Sequence, residues 1–588
     1  MPYQQTRWKL DALLPGDGQA LVDQALAVFE KKVKGMERWR AKLKATLPVK
    51  DFLALLKDYE AMLQAGLRVY AYAQLKFSEN TQDQAALALV MKADQVFAQA
   101  QNRVLFFSLW WKGLDDRRAA RLMAAAGDLR YWLEEMRHFK PHTLSEAEEK
   151  VINLKNVNGP SALQTLYETI TNKYQFTLEV NGVKQTLTRD ALSVYFRSPE
   201  PGLRQAAYQE LYRVYAEAGP VLAQIYSSLA RDWRSENVDL RRFKSPIAVR
   251  NLSNDLPDKV VDTLLHVIRQ NAGVFQRYFQ LKAQWLGLGR LRRYDLYAPL
   301  ASAEKQVPYA EAVQLVLDTF SAFSPRVGQL AQQVFDDGHV DAEVRPGKRG
   351  GAFCYGVLPG VSPWVLLNYT GKTRDVAVVA HELGHAIHAL LAGHHSQLTF
   401  HSALPMAETA SVFSEMLLTD RLLAQETDPA VRRDILAGAL DDAYATVGRQ
   451  GFFALWEKEA HELVRQGKTA DEMAGRYLEL LRDQFGAAVD VSEEFKWEWV
   501  SIPHFYATPF YVYAYSFGQL LVLALYQRFK REGAAFTPKY LKILSYGGAE
   551  APARILKEAG INIASEAFWQ GGYDVIAGMI AELEKLAA

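Results

Sequence analysis

One cysteine, Cys354, is all that 588 residues carry. No disulfide can form within the chain, and cysteine usage points to a reducing compartment. Extended basic charge is missing as well. Lys+Arg (68) and Asp+Glu (67) nearly cancel, leaving a net charge of +1, and "RRFK" and "RLRR" are short and isolated. Nothing resembles the basic stripe that nucleic acid or an anionic membrane requires. The opening "MPYQQTRWKLDALLPG" has no charged segment followed by an apolar core, so no leader is expected. Long apolar runs are scarce too. "FYVYAYSFGQLLVLALY", Phe510 to Tyr526, is uncharged, yet its tyrosines, Ser516 and Gln519 suit a buried helix better than lipid. The expectation is a cytoplasmic globular protein without nucleic-acid or membrane partners. These features do not specify an oligomeric state.

What is present is mostly helical. "DFLALLKDYEAMLQAGLRVYAYAQLKF" repeats apolar residues every three or four positions, and the first 170 residues share that texture. The exception is "YQFTLEVNGVKQTLT", Tyr174 to Thr188, where alternating residues flank Asn181-Gly182 and predict a β-hairpin. Helices resume near Asp190, with "NDLPDKVVDTLLHVIRQN" a clear start. Gly- and Pro-punctuated sequence between Arg345 and Thr370 predicts a small sheet. The expected division is an N-terminal helical lobe with the hairpin over 1–190, and a second region over 191–588.

Chemistry concentrates in "VVAHELGHAIHALLAGHH", Val378 to His395. Thr373 and Asp375 suit a helix start and Gly393 a stop, so Arg374 to about Ala392 reads as one helix. His381 and His385 lie one turn apart beside an apolar stripe of Val379, Leu383, Ile387 and Leu390. Imidazoles at that spacing can grip one Zn²⁺ at about 2.0–2.1 Å each. Glu382 then stands at the metal's open position, where a general base belongs. The competing reading is a polar stripe on an ordinary helix.

A catalytic zinc usually takes a third protein ligand. A metzincin would need glycine at position 388 and histidine at position 391; this chain has His388 and Leu391. Downstream, "LPMAETASVFSEMLL" offers Glu408 and Glu415 on what reads as a second helix. Glu408, Ser411 and Glu415 share one face of it. Spacing leaves the choice of ligand between the two glutamates open, with Ser411 or Glu415 available to hydrogen-bond a ligand. His394, His395 and His401 are rival ligands, expected in the intervening loop. "GKT" at Gly371 to Thr373 lacks the earlier glycine of a phosphate-binding loop, and no G-x-S-x-G elbow exists. Cys354 is read as a packed thiol.

"AHELGHAIH" followed by "PMAETASVFSE" resembles the oligoendopeptidase F branch of the thimet-oligopeptidase-like zinc metallopeptidases. "YQFTLEVNGVKQTLT", "LGLGRLRRYDLYAPL", "IPHFYATPFYVYAYSFG" and "LSYGGAEAPARILKEAGINI" resemble further segments of that branch, in its order. The resemblance implies a mainly helical fold, two lobes enclosing a deep channel, with a small sheet beside the zinc-binding helix. It implies one Zn²⁺ per chain held by His381, His385 and Glu408, with Glu382 as general base. His504, Tyr511 and Tyr515 become the expected holders of substrate carbonyl and oxyanion, and helical spacing would put these three on one face. The implied activity is hydrolysis of internal bonds in short peptides. "SPWVLLNY" could pair with the peptide as an added strand. The alternatives are a non-catalytic peptide-binding protein with the same channel, and a structural zinc closed by a fourth protein ligand.

Overall fold

A computed structural model describes residues 3–16, 18–300 and 306–587. Helix accounts for 71% of the chain and strand for 4%, so the mainly helical expectation holds. The strands are β1 (Phe176–Val180), β2 (Val183–Leu187), β3 (Leu291–Arg292), β4 (Val340–Asp341), β5 (Phe353–Tyr355), β6 (Trp364–Leu366) and β7 (Val489–Asp490). Among the described residues no helix is long and apolar enough to cross a membrane.

The chain divides into two compact units, each assembled from three segments. The first comprises Met1–Lys140, Glu304–Ala424 and Arg528–Ile561; the second comprises Pro141–Ala303, Gln425–Gln527 and Asn562–Ala588. Residue 190, where the sequence suggested a division, falls inside the second unit.

In the first unit, helices Gln19–Glu37, Val49–Glu79 and Gln84–Gly113 share a core around Phe29, Phe52, Phe107 and Trp111. A second core joins helices Tyr309–Phe323, Pro325–Asp336 and Thr373–Leu391 to the sheet. The last of these, the motif helix, starts where Asp375 accepts from the Lys372 and Thr370 backbone N–H groups at 3.2 and 2.7 Å. These bonds satisfy donors just ahead of the first turn. Its Val376, Val379, Leu383 and Ile387 bury one stripe against Val313, Val316 and Val365. That stripe fixes the rotation of the helix and so the direction of its histidines.

The sheet has strand order β4-β6-β5. β6 pairs in parallel with β4 and antiparallel with β5, and all three of its residues are buried. An added peptide strand therefore cannot pair with Trp364–Leu366, as "SPWVLLNY" had suggested, because both edges are taken. The edge strands of the sheet are β4 and β5. The turn between β4 and β5 is anchored by Lys348, whose Nζ donates to the Leu367 carbonyl at 2.6 Å and meets Asp341 at 2.8 Å with both side chains buried.

In the second unit, β1 and β2 form the hairpin expected over 174–188. Asn181 (φ 54°) and Gly182 (φ 76°) both take positive φ, the signature of the turn whose twist matches its strands. Helix Asp258–Gln270 begins just after Pro257. In the long helix Pro201–Arg234, a Cβ at Gly219 would fall 2.6 Å from the Trp497 ring. Glu498, fully buried, accepts from Arg293 at 2.8 Å, Arg449 at 2.9 Å and Tyr477 at 3.0 Å. Such a carboxylate is tolerable in the interior only with charged and neutral donors of this kind around it.

Candidate metal centre and the His504–Tyr515 segment

On the motif helix, His381 Nε2 and His385 Nε2 lie 3.2 Å apart. Glu408 Oε2 stands 3.4 Å from the first and 3.3 Å from the second. Donors at about 2.0–2.1 Å from one tetrahedral ion lie roughly 3.3–3.4 Å from each other. The triangle thus has the edge length of one face of a zinc tetrahedron. Among the described residues, no other group of three or more His, Cys, Asp or Glu side chains offers donor atoms this close, and no fourth such side chain joins this one.

Glu408 precedes the second helix rather than lying on it. It occupies a 3-10 segment, Leu404–Thr409, ahead of the helix Ser411–Gln425. The expected shared helical face with Ser411 and Glu415 is therefore not continuous. Ser411 reaches back instead, donating to Glu408 Oε2 at 2.6 Å. Glu415, one turn further on, meets His381 Nδ1 at 2.5 Å. Gly384 lets these segments approach: a Cβ there would sit 2.6 Å from Ser411 Cα and 2.7 Å from the Ala410 carbonyl oxygen. The residue before His385 is a glycine because backbone fills the space a side chain would need.

The charges around the triangle are coupled. Burial disfavours the His381 imidazolium, but Glu415, Glu408 and Glu382 outweigh it and raise the pKa to about 9. Burial likewise pushes the Glu408 carboxyl up, yet His385, His381 and the Ser411 hydroxyl bring it down to about 2. Glu382 is raised by burial, only partly offset by the two histidines. One carboxylate is held ionised while its neighbour is moved toward neutrality.

These residues face a cleft of about 480 Å³, lined also by Phe353, Cys354, His388, Phe400 and His401. Sequence reasoning had not placed His388 there, though it lies one turn beyond His385 on the same helical face. Burial lowers it to about 4, so it stands neutral. Burial and the nearby Glu382 hold the Cys354 thiol well above its ordinary value, which makes it an inert wall. Of the rival ligands, His401 reaches the cleft wall; His394 is exposed, and His395 Nε2 pairs with the Ser545 carbonyl at 2.8 Å.

The profile of peptidase family M3 matches residues 194–575, and that of oligopeptidase F matches residues 110–176. The chain belongs to peptidase family M3. It is a metalloendopeptidase of that family, similar to oligoendopeptidase F proteins. Oligopeptidase PepF of Bacillus subtilis is 25% identical over 98% of this chain and 87% of its own length. The chromosomal oligoendopeptidase F of Lactococcus lactis subsp. cremoris is 26% identical, over 91% of this chain and 90% of its own. A solved protein of Chlamydophila abortus superposes with TM-score 0.88 at 25% identity, covering 99% of this chain and 98% of that one. Oligoendopeptidase-F of Enterococcus faecium shares the fold with TM-score 0.72 at 24% identity, over 96% and 99%.

In this M3 peptidase, His504, Tyr511 and Tyr515 belong to the second unit. They do not lie along one helix as their spacing had suggested. His504 is in a short helix, Pro503–Ala507; a turn follows, and a new helix runs Tyr513–Glu532. The rings meet nonetheless. His504 and Tyr511 are parallel with centroids 5.9 Å apart, Tyr515 stands perpendicular to Tyr511 at 5.2 Å, and the Tyr515 hydroxyl lies 3.5 Å from His504 Nε2.

Proposed function

We propose that this metalloendopeptidase is zinc-dependent and hydrolyses internal bonds of short oligopeptides in the cytoplasm, with His381, His385 and Glu408 holding the ion. The observation that carries the reading is the three-donor triangle at tetrahedral edge length, facing a cleft that Glu382 also lines. A donor set left open on one side suits catalysis; a structural zinc is closed by four.

When bound there, Zn²⁺ supplies Lewis acidity, which brings the pKa of a water down to about 7. Glu382 accepts the proton of the attacking water and passes it to the leaving amine. Its burial, which lifts the carboxyl toward neutrality, suits both halves of that transfer. Glu415 accepts from His381 Nδ1–H and so keeps the Nε2 lone pair free for the metal. Ser411 donates to Glu408 and fixes its carboxylate plane. His504, Tyr511 and Tyr515 hold the substrate carbonyl and stabilise the tetrahedral oxyanion. The support for this role is the likeness of "IPHFYATPFYVYAYSFG" to the substrate-binding stretch of the oligoendopeptidase F branch. The edge strand β5, whose Phe353 and Cys354 line the cleft, offers backbone pairing to an extended peptide with little demand on its sequence.

The test is to incubate purified protein with peptides of graded length and one folded protein, with and without chelator, and to read products by mass spectrometry. Internal cuts in short peptides only, lost with chelator and restored by zinc, are expected. Intact peptides from a sample shown to hold zinc would replace the enzyme by a peptide-binding protein.

A further inference from the structure

Between the short helix carrying His504 and the helix carrying Tyr515, the chain reverses in four residues, Thr508 to Tyr511. The Tyr511 N–H donates to the Thr508 carbonyl at 3.1 Å. Pro509 takes the second position, and Phe510, third, has φ 58°. Proline there forbids a positive φ at its own position, so this is a type II turn. Glycine is the usual third residue of that turn; a phenylalanine is strained in it.

Type I and type II turns differ by a flip of the central peptide unit, here Pro509–Phe510. The flip would give Phe510 an ordinary negative φ. Both ends of the unit are engaged in the orientation observed. The Pro509 carbonyl accepts from Arg250 Nε at 3.1 Å, and the Phe510 N–H donates to Glu457 Oε1 at 2.7 Å. Arg250 belongs to helix Pro246–Ser253 and Glu457 to helix Arg449–Arg465, so the two grips come from separate elements. Phe510 and Glu457 are each 1% exposed. A flip would leave the buried Phe510 N–H and Glu457 carboxyl without each other and strip the half-buried Pro509 carbonyl of its guanidinium partner.

We propose that Glu457 and Arg250 are positioning residues which lock the Pro509–Phe510 peptide in its type II orientation and thereby aim His504, Tyr511 and Tyr515 at the substrate. This rests on the reading that those three side chains hold the peptide. Tyr511 is the residue directly after the locked unit, and its ring packs on both His504 and Tyr515. Releasing the lock therefore moves the whole group. Glu457 has one oxygen, Oε2, without a hydrogen-bond partner, and burial raises its carboxyl to about 8. Either protonation state accepts through Oε1, so an uncharged amide can serve.

The experiment measures kcat and KM on an internally quenched fluorescent oligopeptide, with zinc content and thermal midpoint read on the same samples. Glu457→Ala is expected to lower kcat/KM about 10- to 100-fold, the scale of small misplacements at reacting centres, with zinc content unchanged. Glu457→Gln, which keeps an acceptor for the Phe510 N–H, recovers most of that loss. Tyr511→Phe slows turnover alone, and adding Glu457→Ala to it costs less than Glu457→Ala does alone, because part of the loss runs through the Tyr511 hydroxyl already removed. If Tyr511→Phe, Tyr515→Phe and His504→Gln all leave kcat and KM unchanged, the substrate-holding reading fails and takes the lock with it. If Tyr511→Phe slows turnover while folded, zinc-loaded Glu457→Ala does not, the lock alone is overturned. Equal impairment of Glu457→Ala and Glu457→Gln also overturns it. Should Glu457→Ala fail to fold, Arg250→Met releases the other side, and Phe510→Gly in that background is expected to restore turnover.

Discussion

Along the motif helix, His381 and His385 meet because a regular helix returns to the same face after four residues. Between Pro503 and Tyr515, His504, Tyr511 and Tyr515 meet although the helix is interrupted between them. In the first case position follows from periodicity and one buried stripe. In the second it depends on a strained turn and on two side chains, Arg250 and Glu457, distant in sequence. A cluster of side chains is robust or conditional according to whether local geometry suffices to build it. Substitutions around the motif helix should act through chemistry and metal affinity. Substitutions around the turn should act through alignment.

The largest effect is expected at Glu382. Glu382→Gln removes the proposed proton carrier and leaves the donor triangle intact, so turnover should fall by about 10²–10⁴-fold with zinc retained at one ion per chain, as read by elemental analysis. Simultaneous loss of zinc would show that Glu382 is part of the metal site's architecture. A smaller effect is expected one shell out. Glu415→Gln replaces the charged acceptor of His381 Nδ1–H, and zinc affinity should weaken by about 10- to 100-fold in competition with a chelator, while the zinc-loaded enzyme keeps its KM. An unchanged affinity would mean that the helix alone orients His381.

The smallest effect separates the turn from the metal centre by pH. His461 packs its ring 4.7 Å from that of Phe510, with Tyr226 perpendicular at 6.1 Å. Burial, reinforced by Arg234, lowers it to about 3. The folded protein therefore binds this proton only below about pH 3, whereas the unfolded chain takes it up below about 6.5. The stability contribution is complete above pH 6.5 and is lost progressively as pH falls toward 3. At pH 5.5 the loss is on the order of 1 kcal/mol. Denaturant titrations of the protein and of His461→Phe should diverge by that much between pH 7.5 and 5.5. Parallel curves would mean that His461 is hydrated in the native state.

What the sequence made legible follows the same contrast. The motif helix, the Asn181-Gly182 hairpin and the buried nature of Phe510 to Tyr526 could be read because each rests on short-range periodicity or turn chemistry. Glu408 was named as a candidate, but its 3-10 setting was hidden, since Ser411 folding back on its carboxylate is a tertiary matter. The role of Gly384 was invisible without the backbone at residues 410 and 411. The β6 strand was legible as a strand but not as the centre of its sheet, because pairing partners near residues 340 and 353 carry no mark of their order. The break between His504 and Tyr515 was signalled by Pro509 alone. Helical spacing, applied across it, placed the three rings together for a reason the chain does not use.

The turn at Phe510 has a consequence for descent. Phenylalanine is tolerable there only while Glu457 and Arg250 hold the peptide, whereas glycine would be at ease with or without them. The three positions cannot drift independently. A lineage that loses the acid first inherits a misaligned segment; one that acquires glycine first can lose the acid and the base at leisure. Related chains lacking Glu457 are therefore expected to carry glycine, or an asparagine that tolerates the same backbone, in the place of Phe510.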